Sequence, residues 1–370
     1  MLPPQPQASL PTPHIFTFHG SFLPFFTRKS LIGLLPAVLL SKQRVVFAKK
    51  EFYWALIVAL LLITPNILWQ YNNHFPVFHH LKELAETQLV NVSRLGFLKE
   101  QLYFFIGSLP VIIASLYALL FYKPFKKFNL FFGAMVFTLL VFTYFKAKSY
   151  YAIGLYPIYI SFGATFFGEI LSTNWKKYLQ PLLLAIPILF YVLLFNKVFS
   201  IKDPAYILKN EEAYKKLGLL RWEDGKNHVL PQDFADMLGW KELAQKVDLE
   251  TNKLPNKNQI LILCDNYGQA GAINYYTNNK NIKAVSFNAD YIDWINLSTP
   301  IQHFIRVKEA DNYKEELTKT SPFFETSFVA DSITNTLARE YRTTIFVFSN
   351  PTIDVNKRLK MEIDKRKTNH

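Results

Sequence analysis

The stretch FYWALIVALLLITPNILWQ, residues 52–70, carries no charge and is nearly as long as a bilayer core is thick. A helix rises about 1.5 Å per residue, so roughly 20 apolar residues cross the hydrocarbon. Backbone polar groups find no water there, so a chain with such a run must bury it as a helix. Four further stretches approach or reach that length: 101–121 (QLYFFIGSLPVIIASLYALLF), 128–145 (FNLFFGAMVFTLLVFTYF), 149–169 (SYYAIGLYPIYISFGATFFGE) and 179–197 (LQPLLLAIPILFYVLLFNK). Together they predict an α-helical polytopic membrane bundle over 41–199 with about five transmembrane helices. Four of the five contain a proline, at Pro65, Pro110, Pro157 and Pro187. Neighbouring helices or water can satisfy the carbonyl that each proline frees.

LIGLLPAVLL at 31–40 is too short to span and reads as part of a helix. Residues 1–27 are rich in Pro, Ser and Thr and lack the basic start of a signal peptide. Residues 1–40 are thus expected to be a Pro-rich leader and a partial helix.

Mean hydropathy is near zero only because two unlike halves are averaged. Residues 1–199 hold 17 Lys+Arg and 5 Asp+Glu, and 17 − 5 gives +12; residues 200–370 hold 24 and 23, giving +1. The basic excess therefore belongs to the apolar half, which points to topology signals and anionic head groups rather than nucleic acid. The single cysteine, Cys264, excludes an intrachain disulfide and any CxxC motif.

Sidedness follows from the short loops. SKQRVVFAKKE at 41–51 carries Lys42, Arg44, Lys49 and Lys50; YKPFKKF carries Lys123, Lys126 and Lys127; NWKKY carries Lys176 and Lys177. With five crossings these fall on one side, which the positive-inside rule makes cytoplasmic. Segment 71–100, the turn FKAKSYY and everything after about 198 then lie outside.

Segment 71–100 repeats apolar residues at Val77, Leu81, Leu84, Leu89, Val92 and Leu95, the spacing of an amphipathic helix on a bilayer surface or over the bundle. From 200 onward, QILILCDN, KAVSFN, HFIRVK, TSFVAD and TTIFVFSN read as strands with helical stretches between them. That alternation predicts a small exoplasmic α/β domain over 200–370.

The turn FKAKSYY stands out chemically. Lys146 and Lys148 on the outer face run against the topology signal, and lysine suits phosphate as a compact point charge with rotatable donors. Tyr150 and Tyr151 would sit at head-group level. Simple snorkelling at a helix end accounts for the same lysines. In the next span, Gly154, Ser161 and Gly168, with Ala164, suggest a packing face of small residues.

His74, His79 and His80 cluster near Glu83 and could contact head groups, substrate or a divalent metal. Adjacent histidines on a helix point about 100° apart, which works against His79 and His80 sharing one ion. In LCDNYGQAGAINYY a strand runs into a helix N-terminus, so Asp265, Tyr267 and Gln269 are candidate ligand contacts, although close packing explains the small residues equally. Residues 1–202 contain no aspartate, and 1–50 no acidic residue. A mechanism needing a membrane-boundary aspartate has none in this half.

The run from LLSKQR through TPNILWQYNNHFPVFHHLKELAETQLV to KAKSYYAIGLYPIYISFGATFF resembles the later part of bacterial family 39 glycosyltransferases, relatives of protein O-mannosyltransferases and of the aminoarabinose transferase of lipid A. The weightiest feature is a basic residue, an aromatic pair and LYP opening a span, here Lys148, Tyr150, Tyr151, Leu155, Tyr156 and Pro157. The resemblance covers about 41–370. It implies a GT-C-like bundle in the bacterial inner membrane, a periplasmic C-terminal domain and a polyprenyl-phosphate-linked sugar as donor. The acceptor, whether glycan, lipid or protein, and any metal requirement stay open. Members resembling this pattern use a carboxylate of the first exoplasmic loop as general base and basic groups to hold the leaving phosphate. Lys146 and Lys148 match the second role; nothing here matches the first, which should lie upstream of residue 41. The expectation is therefore a glycosyltransferase shortened at its N-terminus. The alternative is a non-catalytic membrane protein that binds lipid-linked glycans or anchors an envelope assembly. A transporter ranks third, since buried charges that mark ion pathways are nearly absent.

Overall fold

The computed structural model describes residues 33–73, 75–87, 89–199, 201–309 and 313–368. In chain order the helices of the first half are α1 (33–40), α2 (Lys50–Asn72), α3 (Pro76–Thr87), α4 (Arg94–Phe104), α5 (Leu109–Phe121), α6 (Leu130–Tyr144), α7 (Tyr156–Ile170) and α8 (Gln180–Val198). The chain divides into two compact units. One contains the residues up to Asn72 together with Val92–Tyr191; the other contains Asn73–Asn91 and Val192–His370.

Lys50–Asn72, Ser149–Ile170 and Asn174–Val198 are long and apolar enough to cross a membrane, the first two within the first unit and the last running past its end at Tyr191. The apolar stretches of the first and last of these have no residue buried inside the chain. A helix that is hydrophobic all round and unburied needs an apolar solvent. Two of the five expected spans come out differently. The stretch 101–121 is not one helix: α4 and α5 meet at a 67° bend. Pro110, in the first turn of α5, has no N–H to donate backward, and Gly107 and Ser108 precede it, a combination that bends helices. The stretch 128–145 yields only the 15 residues of α6, because its ends fold as a 3₁₀ segment (Lys123–Phe128) and a closing turn. At that length it rises about 22 Å, less than the hydrocarbon thickness. The sidedness read from loop charges required both stretches to cross.

The buried centre of this unit joins Phe97, Ile112, Leu119, Met135, Phe142, Ala147, Ala152, Tyr156 and Tyr159. On α7 the buried positions are Tyr156, Tyr159, Gly163 and Phe166. The face predicted from Gly154, Ser161 and Gly168 is not the packed one: nothing lies within 4 Å of a side chain added at Gly154 or Gly168. Gly163 makes the close approach instead, and a methyl group there would run into the Val111 carbonyl of α5. Residues three and four apart share a helical face, so the seam follows 156, 159, 163 and 166 rather than a spacing of seven through 154.

Segment 71–100 is also broken up. α2 ends at Asn72, α3 covers Pro76–Thr87, a 3₁₀ turn covers Leu89–Asn91, and Ser93 caps a new helix by accepting from the Gly96 amide at 3.2 Å. A serine N-cap starts a helix wherever its hydroxyl can take an orphan N–H. That overrides the continuous apolar spacing.

The second unit adds α9 (Pro204–Lys209), α10 (Glu211–Lys216), α11 (Gln232–Ala235), α12 (Trp240–Lys253), α13 (Tyr267–Tyr276), α14 (Tyr313–Thr320) and α15 (Val355–Thr368). Its strands are β1 (Ile260–Cys264), β2 (Ala284–Ser286), β3 (His303–Lys308), β4 (Phe324–Ser332) and β5 (Thr344–Pro351). They form one sheet in the order β2-β1-β3-β5-β4. β1 runs parallel to β2 and β3, while β5 is antiparallel to β3 and β4. All five strands expected from the sequence are present.

Alternation along the strands builds a core on each face. Ile262, Cys264, Ile305, Val307, Ile345 and Val347 pack with Leu243 and Val247 of α12 and Ala270 and Ile273 of α13. Leu261, Leu263, Phe304, Phe346 and Phe348 pack with Phe324 and with Val355 of α15. Central strands buried on both faces read as continuous apolar runs, which is why they were legible. The outer strand β4 changes register between Val329 and Asp331, the mark of a bulge.

Candidate functional site

The basic turn grows out of the end of α6. The Ala147 amide donates to the Phe142 carbonyl at 2.9 Å, and the Lys146 amide donates to Thr143 at 3.3 Å. These two bonds are a Schellman cap, with Phe142 and Ala147 both buried in the same apolar cluster beneath it. The cap places its left-handed residue at Lys146, whose φ is +50°. Glycine takes that conformation without a Cβ penalty, whereas a lysine there costs about 1 kcal/mol.

The rest of the turn is braced from below. Gln101, buried on α4, donates to the Ser149 carbonyl at 3.0 Å and accepts from the Tyr156 hydroxyl at 3.1 Å. Phe105 stacks on Tyr156 with ring centroids 4.2 Å apart. Above this brace, Lys148 Nζ lies 5.9 Å from the Tyr150 ring centre, and the Tyr150 and Tyr151 rings stand perpendicular at 4.8 Å. Arg94 Nη2 lies 3.5 Å from the Tyr144 carbonyl at the negative end of the α6 dipole. Arg94 thus meets the end of α6, directly before the turn that carries Lys146, Lys148 and both tyrosines. Arg94 and Gln101 were not anticipated; Arg94 sits in segment 71–100, and Gln101 opens the stretch 101–121 read as an apolar span.

The candidates on segment 71–100 are placed only in part. His74 lies outside the described residues; His79, His80 and Glu83 fall within α3, but their side chains lie outside what is described. Among the described residues no group of three or more His, Cys, Asp or Glu could hold a metal ion.

At the strand–helix junction, Asp265, Tyr267 and Gln269 do not form an open ligand site. β1 lies between β2 and β3, so the carboxyl ends of β1 and β3 flank a switch point where α/β sheets commonly bind ligands. Here the protein fills it. Asp265 pairs with Arg306, lies 3.8 Å from Lys308 Nζ and accepts from the Glu309 amide at 3.0 Å. Gln269 is fully buried; it accepts from the Asp265 amide at 3.1 Å and donates to Glu340 at 2.7 Å. Asn266 caps α13 by accepting from the Gln269 amide at 2.8 Å and donates to Glu309 at 2.7 Å. Desolvation, followed by the nearby Glu340 and Asp265 carboxylates, pushes the Glu309 carboxyl above its usual range. Tyr267 is exposed. An aspartate held by an arginine and a backbone amide has its acceptor oxygens engaged within the protein. The hint lay in HFIRVK: an arginine inside a buried strand requires a carboxylate partner.

No family model, curated protein or solved structure matches this chain.

Proposed function

We propose that the chain is a membrane glycosyltransferase of the polyprenyl-phosphate-sugar type, with the turn 145–151 as the seat of the lipid phosphate. The observation that carries this reading is Lys146 at a left-handed cap position where glycine is the less strained residue. Strain of this kind persists where the surrounding structure enforces it, and it clusters at functional sites. Lys148 and the tyrosine pair on the same braced turn supply a second cation and head-group-level rings. In the reaction, an acceptor hydroxyl attacks the anomeric carbon, the bond from that carbon to the phosphate oxygen breaks, and Lys146 and Lys148 neutralise the departing polyprenyl phosphate. The hydroxyl proton passes to a carboxylate general base, the role that the family resemblance assigns to a first exoplasmic loop and that no residue of the turn 145–151 fills. This reading requires the turn to face the exoplasmic side of a bacterial inner membrane, and therefore requires both 101–121 and 128–145 to cross it.

A second reading is a membrane protein that binds lipid-linked glycans without transferring them. It is favoured by the lack of any aspartate in residues 1–202. The test is one preparation of the full chain in lipid nanodiscs, assayed for polyprenyl-phosphate binding and for transfer from a polyprenyl-phosphate sugar. Binding that Lys146→Gly and Lys148→Ala weaken, with transfer, supports the enzyme. Such binding without transfer supports the second reading, and affinity unchanged by both substitutions removes the lysines from either.

A further inference from the structure

The turn after α13, TNNKN at 277–281, closes a depression of about 340 Å³ lined by Asp248, Asn252, Asn278, Asn279, Lys280 and Asn281. Its floor is fixed. The buried Asp248 carboxylate accepts from the Thr277 hydroxyl and from the Asn278 amide, the latter at 2.8 Å. Asn279 donates its amide to the Thr277 hydroxyl at 3.0 Å and accepts the Asn281 amide at 3.2 Å. Lys280 Nζ ties back to the Tyr275 carbonyl at 3.1 Å. A second strap holds the helix to the sheet edge, where the Asn274 carboxamide exchanges two bonds with the Ala284 backbone at 2.7 and 2.8 Å.

On this fixed frame, the carboxamides of Asn252, Asn278 and Asn281 make no hydrogen bond to the described protein. A carboxamide presents an acceptor and two donors side by side. That matches neighbouring hydroxyls, each of which also donates and accepts. The lining charges, Asp248 and Lys280, cancel, so neither a phosphate nor a cation is favoured. Tyr275 and Tyr276, just before Thr277 and outside the lining of the depression, expose 75% and 43% of their surface, with their rings 4.8 Å apart. Such rings offer an apolar face to a partly polar ligand. The volume lies at the small end of ligand pockets, enough for one or two sugar rings.

The geometry points to a binding subsite for a neutral carbohydrate at 277–281. Identifying that carbohydrate with the acceptor of the transfer rests on the function proposed above; sugar binding itself does not. The side chains that would make the contacts are exposed amides, so their substitution leaves the core intact.

The test is a titration of the full chain in nanodiscs with glucose, mannose, galactose and N-acetylglucosamine oligosaccharides, followed by calorimetry and tyrosine fluorescence. At least one probe is expected to bind saturably with Kd near ~1 mM, and Asn278→Ala with Asn281→Ala is expected to weaken it about tenfold. Lys146→Gly is expected to leave that affinity unchanged, and the double asparagine variant to leave polyprenyl-phosphate binding unchanged. No saturable binding by any probe, or binding indifferent to the asparagine pair, overturns the subsite. Loss of lipid-phosphate binding alone would count against the turn 145–151 and leave the subsite standing.

Discussion

The Ala147 amide bonds to the Phe142 carbonyl at 2.9 Å, and in closing that ring it holds Lys146 at a φ of +50°. The cap fixes the lysine's backbone independently of any ligand. A single substitution therefore separates what the backbone prefers from what the side chain contributes.

Lys146→Gly is expected to raise the unfolding midpoint, by about 1 kcal/mol of stability, because glycine relieves the left-handed strain. The same variant is expected to bind polyprenyl phosphate more weakly. Thermal unfolding and binding measured on one sample check both; a variant that binds as before would leave the strained lysine without a role.

Gln101→Leu should be among the more damaging changes in the first unit. It removes the donor to the Ser149 carbonyl and the acceptor for the Tyr156 hydroxyl, leaving two buried polar groups unpaired. The expected cost is about 2 to 3 kcal/mol, seen as a lower unfolding midpoint in detergent. Gln101→Glu, which keeps an acceptor for Tyr156, is expected to cost less at low pH than at high pH.

Gly163→Leu is expected to separate α5 from α7, since even a methyl group meets the Val111 carbonyl. Overpacking of this kind costs about 3 kcal/mol or more. Gly154→Leu and Gly168→Leu, where nothing lies within 4 Å, should be tolerated. Retention on size-exclusion chromatography after heating distinguishes the three.

In the α/β domain, Glu242 anchors α12 to the segment after β4. Desolvation opposes its charge, but the Thr334 amide and hydroxyl and the Lys246 ammonium outweigh it and bring the carboxyl down to about 2. A lowered carboxyl stabilises the fold above its unfolded value of 4.5, and that contribution fades as pH falls from there through about 2. Glu242→Gln is expected to remove about 2 kcal/mol at pH 7, after allowance for partial exposure, and to flatten the acid limb of the stability profile. Unfolding midpoints measured between pH 7 and pH 2 give the comparison.

Cys264 is buried in the sheet, and desolvation pushes its thiol far above the ordinary range. Maleimide labelling of the folded protein is expected to fail at pH 7 and to go to completion in denaturant. Labelling at native conditions would mean that the sheet opens at β1.

The α/β domain was legible because its strands are short, apolar and separated by charged helical stretches. Short continuous apolar runs between charged stretches distinguish them. Membrane segments lack that contrast, since Gly154 and Gly163 look alike in an apolar run and only the neighbouring helix decides which one is packed. Apolar length likewise concealed the bend at Phe105 and the early end of α6. The first follows from Gly107, Ser108 and Pro110 at the junction and the second from the cap that closes α6 at Lys146, neither of which changes the apolar length. Of the candidate site, the residue types on the turn 145–151 were readable, but the brace from Gln101, 48 residues away from Ser149, was not. The ion pair that occupies Asp265 was hidden for the same reason, its partner lying on another strand.

The edges of the sheet decide how this domain can meet other chains. β2, at one edge, has only three residues, too few to template a neighbouring strand. β4, at the other, is long enough, but the slip between Val329 and Asp331 bends its free side out of register with any straight partner. A protruding strand edge is the usual route by which crowded domains stick together. With one edge shortened and the other crooked, neither side of the sheet offers a long straight ladder to a neighbouring strand.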